Sequence, residues 1–253
     1  MSIKSATLNG VATIEIARPE KKNAITAAMY AAMAEALVAA QGDAAVRAVL
    51  ITGQPGIFSS GNDIEDFMQR PPSLTESPAF GFMKALLGCD KPVVAAVTGA
   101  AIGIGTTMLL HCDFVYVSDE ARLAMPFVSL GLVPEFASSL VLPRLLGNVR
   151  AAEKLLLGDP FTGADAVEAG IANAVLPAAE VVRHARRVAE RFNSLPPGAV
   201  QETKRLLRRA ARSELMETIA LEGKVFGERL QSGEAKEAFS AFFQKRQPDF
   251  SKF

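Results

Sequence analysis

Three short apolar runs constrain the fold of this chain more than any other feature of its sequence. They read VRAVLITG, PVVAAVTG and DFVYVS, at residues 46–53, 92–99 and 113–118. Continuous apolar runs of this length are typical of strands that a sheet buries on both faces. Helical patterns occur between the runs, at 63–69, 78–88 and 104–111. This alternation predicts an α/β fold in which right-handed crossovers build a largely parallel sheet.

The rest of the chain adds one strand at the start and many helices at the end. Residues 11–17 alternate like a half-buried strand, and Thr26 is expected to cap a helix that runs to Ala40. Beyond Pro126, one weak strand pattern lies at 172–176 and helical patterns dominate, at 136–146, 149–157, 163–169, 179–194, 198–212 and 214–231. We therefore predict an α/β core over residues 1–195. A C-terminal helical region over residues 196–253 is expected to pack on the core or on a neighbouring subunit.

Composition excludes several classes of function. The chain has 253 residues, with 27 Lys and Arg against 27 Asp and Glu, and this balance argues against nucleic acid as a partner. No apolar run reaches the roughly 20 residues of a membrane-spanning helix, and the first residues lack the apolar segment of a signal peptide. Two cysteines and two histidines are too few for a disulfide framework or a typical zinc site. We expect a cytoplasmic protein with no membrane contact and no metal.

Two glycine-containing loops are the first candidates for a binding site. FSSGNDI, at 58–64, follows the strand that ends at Gly53, and GAAIGIGT, at 99–106, follows the next strand. Each loop leads into a helix, whose first N–H groups have no partner within the helix. If the two strands are neighbours, the loops meet at the carboxyl edge of the sheet, where ligands of open α/β folds bind. Two N–H groups from separate loops can form an oxyanion hole, although either loop alone is also consistent with tight packing.

Glu135 is the main candidate for an acid–base group. It lies in the segment LVPEF at 132–136, where a proline followed by a glutamate is typical of the start of a helix. A carboxylate in the first turn stabilises a helix through its dipole, so a structural role and a catalytic role both remain open at this point.

Other polar residues are assigned structural places. His111 lies late in an apolar helix and is predicted to be a core residue, whereas His184 lies among arginines and is predicted to be on the surface. A basic stretch recurs at helical spacing, at Lys204, Arg205, Arg208, Arg209 and Arg212. Such a pattern is typical of a solvated helix face, with a phosphate-bearing ligand or RNA as the alternative.

Six motifs, taken in order, resemble those of the crotonase (enoyl-CoA hydratase/isomerase) superfamily. They are RPEKKNA at 18–24, FSSGNDI at 58–64, GAAIGIG at 99–105, ARLAMPF at 121–127, LPRL at 142–145 and AFFQKR at 241–246. The resemblance covers nearly the whole chain. It implies a spiral core of ββα turns with a C-terminal helical region, assembled as a homotrimer or a dimer of trimers.

The resemblance also implies a substrate and the residues that hold it. The substrate would be an acyl-CoA thioester, so that coenzyme A enters as part of the substrate and no separate cofactor is needed. By position, the backbone N–H groups of Ser60 and Ile104 would bind the thioester oxygen. The residues expected to contact the CoA thioester are Lys22, Ala24, Ser60, Gly61, Asn62, Asp63, Ile64, Ile104 and Phe127. Residues within 64–88 and 127–140 are expected to set the acyl chain length.

Two departures from the family pattern bear on the reaction. Hydratases of this family use two glutamates, and here Thr107 and Phe127 hold those places, where neither can exchange a proton with water at neutral pH. Glu135 coincides with the single glutamate of the family's Δ3,Δ2-enoyl-CoA isomerases. The resemblance thus implies an isomerase of fatty acid β-oxidation. The alternatives are a hydratase, another acyl-CoA enzyme such as a dienoyl isomerase, and, remotely, a non-catalytic member that binds RNA.

Overall fold

The computed structural model describes residues 2–69 and 77–253. The strands are β1 (Ile3–Leu8), β2 (Val11–Ile16), β3 (Ala48–Thr52), β4 (Ile57–Ser59), β5 (Val93–Val97), β6 (Ala100–Ile102), β7 (Phe114–Ser118), β8 (Arg122–Ala124), β9 (Phe161–Thr162) and β10 (Ala174–Leu176). The helices are α1 (Ala27–Gly42), α2 (Ile64–Gln69), α3 (Pro78–Gly88), α4 (Ile104–Thr107), α5 (Ser138–Leu146), α6 (Asn148–Ala152), α7 (Gly163–Glu168), α8 (Ala178–Glu190), α9 (Pro197–Arg209), α10 (Arg212–Leu230) and α11 (Gly233–Gln244).

These strands form two sheets, and the chain alternates between them. The large sheet has the order β1-β2-β3-β5-β7-β10, in which β1 is antiparallel to β2 and the other pairs are parallel. The small sheet has the order β4-β6-β8-β9. After β3, β5 and β7 in the large sheet come β4, β6 and β8 in the small one, and a helix follows each pair. The repeating unit is therefore a ββα turn, and successive turns lie side by side.

The central strands of the large sheet are buried on both faces, which explains their continuous apolar sequences. On one face, Val49 and Ile51 share an apolar cluster with Met33 of α1. On the other face, Leu50 and Val94 share a second cluster with the apolar side of α8. Alternate side chains of one strand point to opposite faces, so both sets must be apolar when helices cover both.

The three predicted buried strands and the largely parallel sheet that they form are confirmed, and a second, smaller sheet accompanies it. The small sheet was not expected, because its strands contain only two or three residues each. A segment of that length gives neither an apolar run nor an alternating pattern. The strand β1 was also missed, since five of its six residues are exposed and no apolar face marks it.

The observed helices differ from the predicted ones in several places. The helix expected at 136–146 begins at Ser138, and α11 lies outside the set of predicted helices. The helix expected at 104–111 is a short α-helix followed by a 3-10 turn. Among the described residues, no helix has the length and apolarity required to cross a membrane.

The basic stretch in α9 fixes this helix to the large sheet. Lys204 is only 5% exposed, and its Nζ donates to Asp113 Oδ2 at 2.5 Å and to the carbonyl oxygen of Lys91 at 2.6 Å. Arg208 donates to Asp113 Oδ1 at 3.0 Å, and Arg205 donates to Asp90. The prediction of a wholly solvated basic face is therefore wrong for Lys204. The division into a core (1–195) and a helical region (196–253) stays a prediction about domains.

We predict that Asp113→Ala destabilises the fold by about 3 kcal/mol, because it leaves the buried Lys204 ammonium without its counter-charge. The matched variant Lys204→Met should cost less, since an apolar side chain fills the same space and Asp113 keeps its bonds from Arg208 and from the N–H of Val93. The measurement is the free energy of unfolding in urea at fixed protein concentration. Equal and small effects of the two variants would contradict this account.

Candidate active site

The two glycine-containing loops meet at the end of the small sheet. The first loop follows β4 and the second follows β6. These two strands are paired in parallel, so both loops leave the same end of the sheet. Gly61 and Gly103 have φ angles of 95° and 56°. A Cβ atom on Gly61 would lie 3.1 Å from the carbonyl oxygen of Ile102, and one on Gly103 would lie 4.0 Å from Cα of Gly61. Glycine is needed at both positions for the positive φ, and at Gly61 also for the close backbone approach.

The RPEKKNA segment holds the first loop in position. The side-chain amide of Asn23 donates to the carbonyl oxygens of Ile57 and Phe58 at 3.1 Å each. Its Oδ1 accepts from the N–H of Arg18 at 2.7 Å. The guanidinium of Arg18 in turn donates to Asp63 Oδ2 at 2.6 Å. This motif therefore acts as a brace between the start of the chain and the loop.

Three of the predicted binding residues belong to the same brace. Lys22 has an exposed side chain, and the carbonyl oxygen of Ala24 accepts from Arg18 at 3.1 Å. Asp63 is buried, and its Oδ1 accepts from the N–H of Asp66 at the start of α2. Burial opposes ionisation of Asp63, but the hydrogen bond from Asp66 and the ion pair with Arg18 hold its pKa below the usual range. Asp63 is thus a structural carboxylate.

Hydrogen bonding contradicts the role predicted for Ser60. Its N–H donates to the carbonyl oxygen of Lys22 at 3.1 Å and is therefore occupied. The N–H of Asn62, by contrast, has no acceptor among the described residues. The carbonyl oxygen of Gly61 and the N–H of Asp63 both bond to Ile25 in a parallel bridge, so the N–H of Asn62, which lies between them, points away from Ile25. Ile104 is the first residue of α4, so its N–H has no acceptor within the helix. The available pair of donors is Asn62 and Ile104.

Glu135 directly precedes a tight turn that leads into α5, and does not lie in the first turn of a helix as predicted. The two residues after it, Phe136 and Ala137, have φ angles of 58° and 55°, in the left-handed region. This region is sterically unfavourable for side chains with a Cβ, so the helix cannot start at Pro134. The Glu135 side chain is 9% exposed, and its Oε1 has no hydrogen-bond partner within the part of the chain that the structure describes.

The surroundings of Glu135 favour its protonated form. Burial, followed by the nearby charge of Glu222, raises its pKa to about 8, and a hydrogen bond from the Asn62 side chain acts in the opposite direction. The Tyr30 hydroxyl donates to Asn62 Oδ1 at 2.6 Å, so the amide nitrogen of Asn62 is left to donate to Glu135. Burial, and then the charge of Glu135, raises the pKa of Tyr30 well above its ordinary value, so Tyr30 stays neutral.

Glu135 and Asn62 face an apolar cavity between the core and the C-terminal helices. Its wall consists of Asn62, Phe67, Ser77, Ala79, Phe80, Met83, Glu135, Phe136, Ile219, Gly223 and Phe226. Several of these residues fall in the ranges predicted to bind the acyl chain, 64–88 and 127–140, of which residues 70–76 lie outside the described part. The contribution of α10 was missed. Its only sequence signal is apolar spacing at 219, 223 and 226, which any packed helix also has.

The positions of the two hydratase glutamates carry no acid–base group. Thr107 is fully buried, and its hydroxyl has no partner among the described residues. Phe127 is also buried and lies beside Gly103, within 3.9 Å of where a Cβ would be. Ile64, another predicted binding residue, is the half-buried first residue of α2.

The core position predicted for His111 is confirmed. Its ring stacks on Phe136 with centroids 4.0 Å apart, and its Nε2 lies 2.6 Å from the carbonyl oxygen of that residue. Burial lowers the pKa of His111 to about 4, so the ring is neutral and can donate this bond. His184 is half-buried rather than fully on the surface, because it packs against Tyr116. Within residues 2–69 and 77–253, no cluster of three or more His, Cys, Asp or Glu side chains could hold a metal ion.

Comparisons with known proteins agree with this geometry. The profile of the enoyl-CoA hydratase/isomerase family matches residues 6–252. Human enoyl-CoA delta isomerase 2 is 34% identical over 245 residues, which cover 94% of this chain but only 62% of the human protein. A probable enoyl-CoA hydratase of Bacillus subtilis (strain 168) is 31% identical, with 95% of each chain covered. The solved structure of Pseudomonas aeruginosa OdaA is 56% identical, with a TM-score of 0.94 and coverage of 95% of this chain and 98% of that one. The predicted crotonase fold is confirmed, whereas relatives with both isomerase and hydratase names leave the reaction undecided.

The raised pKa of Glu135 predicts a pH-dependent stability. Since the folded state holds the Glu135 proton up to about pH 8 and the unfolded state releases it near 4.5, wild type loses stability as the pH rises between these values. Glu135→Gln cannot ionise at this position. Its free energy of unfolding should therefore rise relative to that of wild type by about 1.4 kcal/mol per pH unit, to a total on the order of 3–5 kcal/mol. Urea unfolding at pH 5 to 8.5 tests this, with the exposed Glu120→Gln as control. A difference that does not change with pH would contradict the prediction.

Proposed function

The chain belongs to the enoyl-CoA hydratase/isomerase family, and we propose that it is a Δ3,Δ2-enoyl-CoA isomerase in which Glu135 is the acid–base group. The observation that carries the proposal is the buried Glu135 carboxyl, with a pKa raised to about 8, on the wall of an apolar cavity. Thr107 and Phe127 stand where the hydratases of this family have glutamates. One carboxyl group is then available to exchange protons, as an isomerase requires.

The proposed reaction moves one proton and two pairs of electrons. Ionised Glu135 takes a proton from C2 of a 3-enoyl-CoA, and the electrons of that C–H bond form a dienolate with the negative charge on the thioester oxygen. Protonated Glu135 then gives the proton to C4, which leaves the double bond between C2 and C3. A pKa near 8 suits both steps, because the group must accept a proton and then release it at close to neutral pH.

The developing charge on the thioester oxygen needs two donors, which we assign to the N–H groups of Asn62 and Ile104. The assignment replaces Ser60, whose N–H already bonds to Lys22. Donors of this kind are worth about 3–4 kcal/mol each in other enzymes. Asn62 also contacts Glu135 through its side chain, so this residue would connect the oxyanion hole with the base.

The chemistry of the cavity wall supports an acyl-CoA with an apolar acyl chain. Aromatic and aliphatic side chains surround Glu135, and apolar walls exclude the water that would quench a dienolate. We propose that the CoA portion passes Lys22 and Ala24, next to the loop with Gly61, Asp63 and Ile64. Coenzyme A would enter with the substrate, and the reaction as written uses neither a metal nor a redox cofactor. The pathway that we propose is the β-oxidation of fatty acids.

Hydration is the nearest rival, because some relatives are named as hydratases. A second carboxylate does lie near Glu135, namely Glu222, but it accepts hydrogen bonds from the N–H of Ala137 at 2.6 Å and from both the N–H and the hydroxyl of Ser139. A carboxylate with these contacts is poorly placed to activate a water molecule. This supports the isomerase over the two-carboxylate route. Binding of RNA is further disfavoured, because Lys204 and Arg208 are paired with Asp113.

A homotrimer or a dimer of trimers stays a proposal. It is supported by large apolar side chains that are exposed in this single chain, such as Leu207, Val149 and Leu221. Exposed apolar surface of this kind commonly marks a contact with another protein chain.

We predict that Glu135→Gln lowers kcat for cis-3- and trans-3-enoyl-CoA by about 10²–10⁴-fold, because the amide cannot accept the C2 proton. The glutamine has nearly the same shape, so KM should change little. Product formation is followed by chromatography of the CoA esters, with 2-enoyl-CoA as a separate substrate for hydration. Glu120→Gln, which changes an exposed carboxylate that is not part of the cavity wall, should keep wild-type activity. Robust hydration that survives Glu135→Gln would refute the isomerase proposal.

The oxyanion assignment predicts that kcat depends on the backbone N–H groups at positions 62 and 104 and much less on the one at position 60. Replacement of the amide N–H by an ester oxygen, through an α-hydroxy acid introduced by semisynthesis at position 62 or 104, should lower kcat by about 10²–10³-fold. The same replacement at position 60 removes only the bond to Lys22 and should cost less than tenfold. A larger loss at 60 than at 62 would restore Ser60 as the donor.

A further inference from the structure

Glu222 links the C-terminal helices to the turn that carries Glu135. It lies in α10, is 7% exposed, and reaches across 83 to 85 residues of sequence to the N-terminus of α5. One oxygen accepts from the N–H of Ala137 at 2.6 Å, and the other accepts from the N–H and the hydroxyl of Ser139 at 3.0 and 2.5 Å. Both oxygens are therefore engaged with a single short stretch of backbone.

The cap residue of α5 differs from the cap residues of several other helices. The helices α1, α3, α7 and α11 each donate a backbone N–H to the side chain of the Thr or Ser immediately before them: Thr26, Ser77, Thr162 and Ser232. At α5 the cap residue is Ala137, which has no side-chain acceptor. The acceptor comes instead from a distant helix, so the position of the turn depends on where α10 lies.

The turn needs such support because its backbone conformation is unfavourable. Phe136 and Ala137 are consecutive non-glycine residues with positive φ, a conformation that persists only when neighbouring groups enforce it. His111 holds the turn on one side through the carbonyl oxygen of Phe136, and Glu222 holds it on the other through the N–H of Ala137. Glu135 directly precedes this turn, so the direction of its side chain depends on both contacts.

We propose that Glu222 is a positioning residue, which locks the Phe136–Ala137 turn so that the Glu135 carboxyl faces the cavity. This inference rests on the proposed function, since it assigns Glu222 to the support of the proposed base. The same helix places Ile219, Gly223 and Phe226 in the cavity wall. An acyl chain bound there would thus contact the element that holds the base.

Charge acts together with geometry at this place. The groups that face Glu135 from the packed elements are Tyr30 of α1, the Asn62 amide, His111 beside Phe136, and Glu222 of α10. Tyr30 and His111 are neutral near pH 7, which leaves Glu222 as the charged neighbour. Its negative charge raises the pKa of Glu135, after the larger effect of burial. Removal of this charge should therefore move the ionisation of Glu135 to lower pH.

The test compares Glu222→Gln and Glu222→Ala with Glu228→Gln, an exposed residue of the same helix. Glu222→Ala removes every contact with the turn and should lower kcat for 3-enoyl-CoA at least tenfold with little change in KM, because small misplacements of a catalytic group have large effects on rate. Glu222→Gln keeps one acceptor oxygen, so its kcat should fall less than that of Glu222→Ala. In Glu222→Gln, the pH at which kcat/KM reaches half of its upper limit should fall by at least half a unit.

A second measurement makes the result independent of activity. The Glu135 carboxyl is titrated by NMR in protein with ¹³C-labelled glutamate, and its signal is assigned from the spectrum of Glu135→Gln. A midpoint that falls in Glu222→Gln but not in Glu228→Gln supports the positioning role, even if no 3-enoyl-CoA is isomerised and the proposed function fails. Unchanged kcat and an unchanged midpoint in folded Glu222→Gln would overturn it. A loss of stability with wild-type kcat and midpoint would also overturn it, because it would reduce Glu222 to a helix cap.

Discussion

The parallel pairing of β4 with β6 is the contact on which the rest of the site depends. These strands are only three residues long, yet they bring two loops from separate ββα turns so close that a Cβ atom on Gly61 would lie 3.1 Å from the carbonyl oxygen of Ile102. Within the described residues, the N–H groups of Asn62 in the first loop and Ile104 in the second have no backbone acceptor. Without the large sheet such short strands would not persist, since a pair of this length is not stable alone. The central strands of the buried sheet hold the small one in register.

The sequence predicts the large sheet well and the small sheet poorly, for a physical reason. Val49 and Val94 belong to runs in which every residue is buried, so the pattern is strong. The small sheet is defined by backbone pairing and glycine geometry, which leave little trace in hydrophobicity. The two loops could be chosen from their glycines, but not the N–H group that remains free. The N–H of Ser60 faces the carbonyl oxygen of Lys22, whereas the N–H of Asn62 faces no acceptor among the described residues. The sequence carries no sign of this difference.

The place of Glu135 could be found from its likeness to the isomerase motif, but its electrostatic state could not. A carboxylate in the first turn of a helix would be stabilised in its charged form. The structure reverses this, because the left-handed residues Phe136 and Ala137 separate Glu135 from α5 and leave the favourable helix end to Glu222. Glu135 is instead buried beside a like charge, and its pKa rises to about 8. Burial, and then a contact with Glu222 across more than 80 residues of sequence, decide between the two outcomes.

The different surroundings of the two carboxylates have a cost in stability and, in the proposed reaction, a use in catalysis. Glu222 is surrounded by donors, whereas Oε1 of Glu135 has none among the described residues. A buried carboxyl that stays protonated while the unfolded chain releases its proton costs stability, and this cost grows as the pH rises from 4.5 towards about 8. In the proposed reaction, the lack of a donor at Oε1 helps to keep Glu135 basic enough to remove a proton next to a thioester. A donor placed on Glu135 would stabilise the fold and weaken the base, so the apolar wall around it is a requirement of the proposed chemistry.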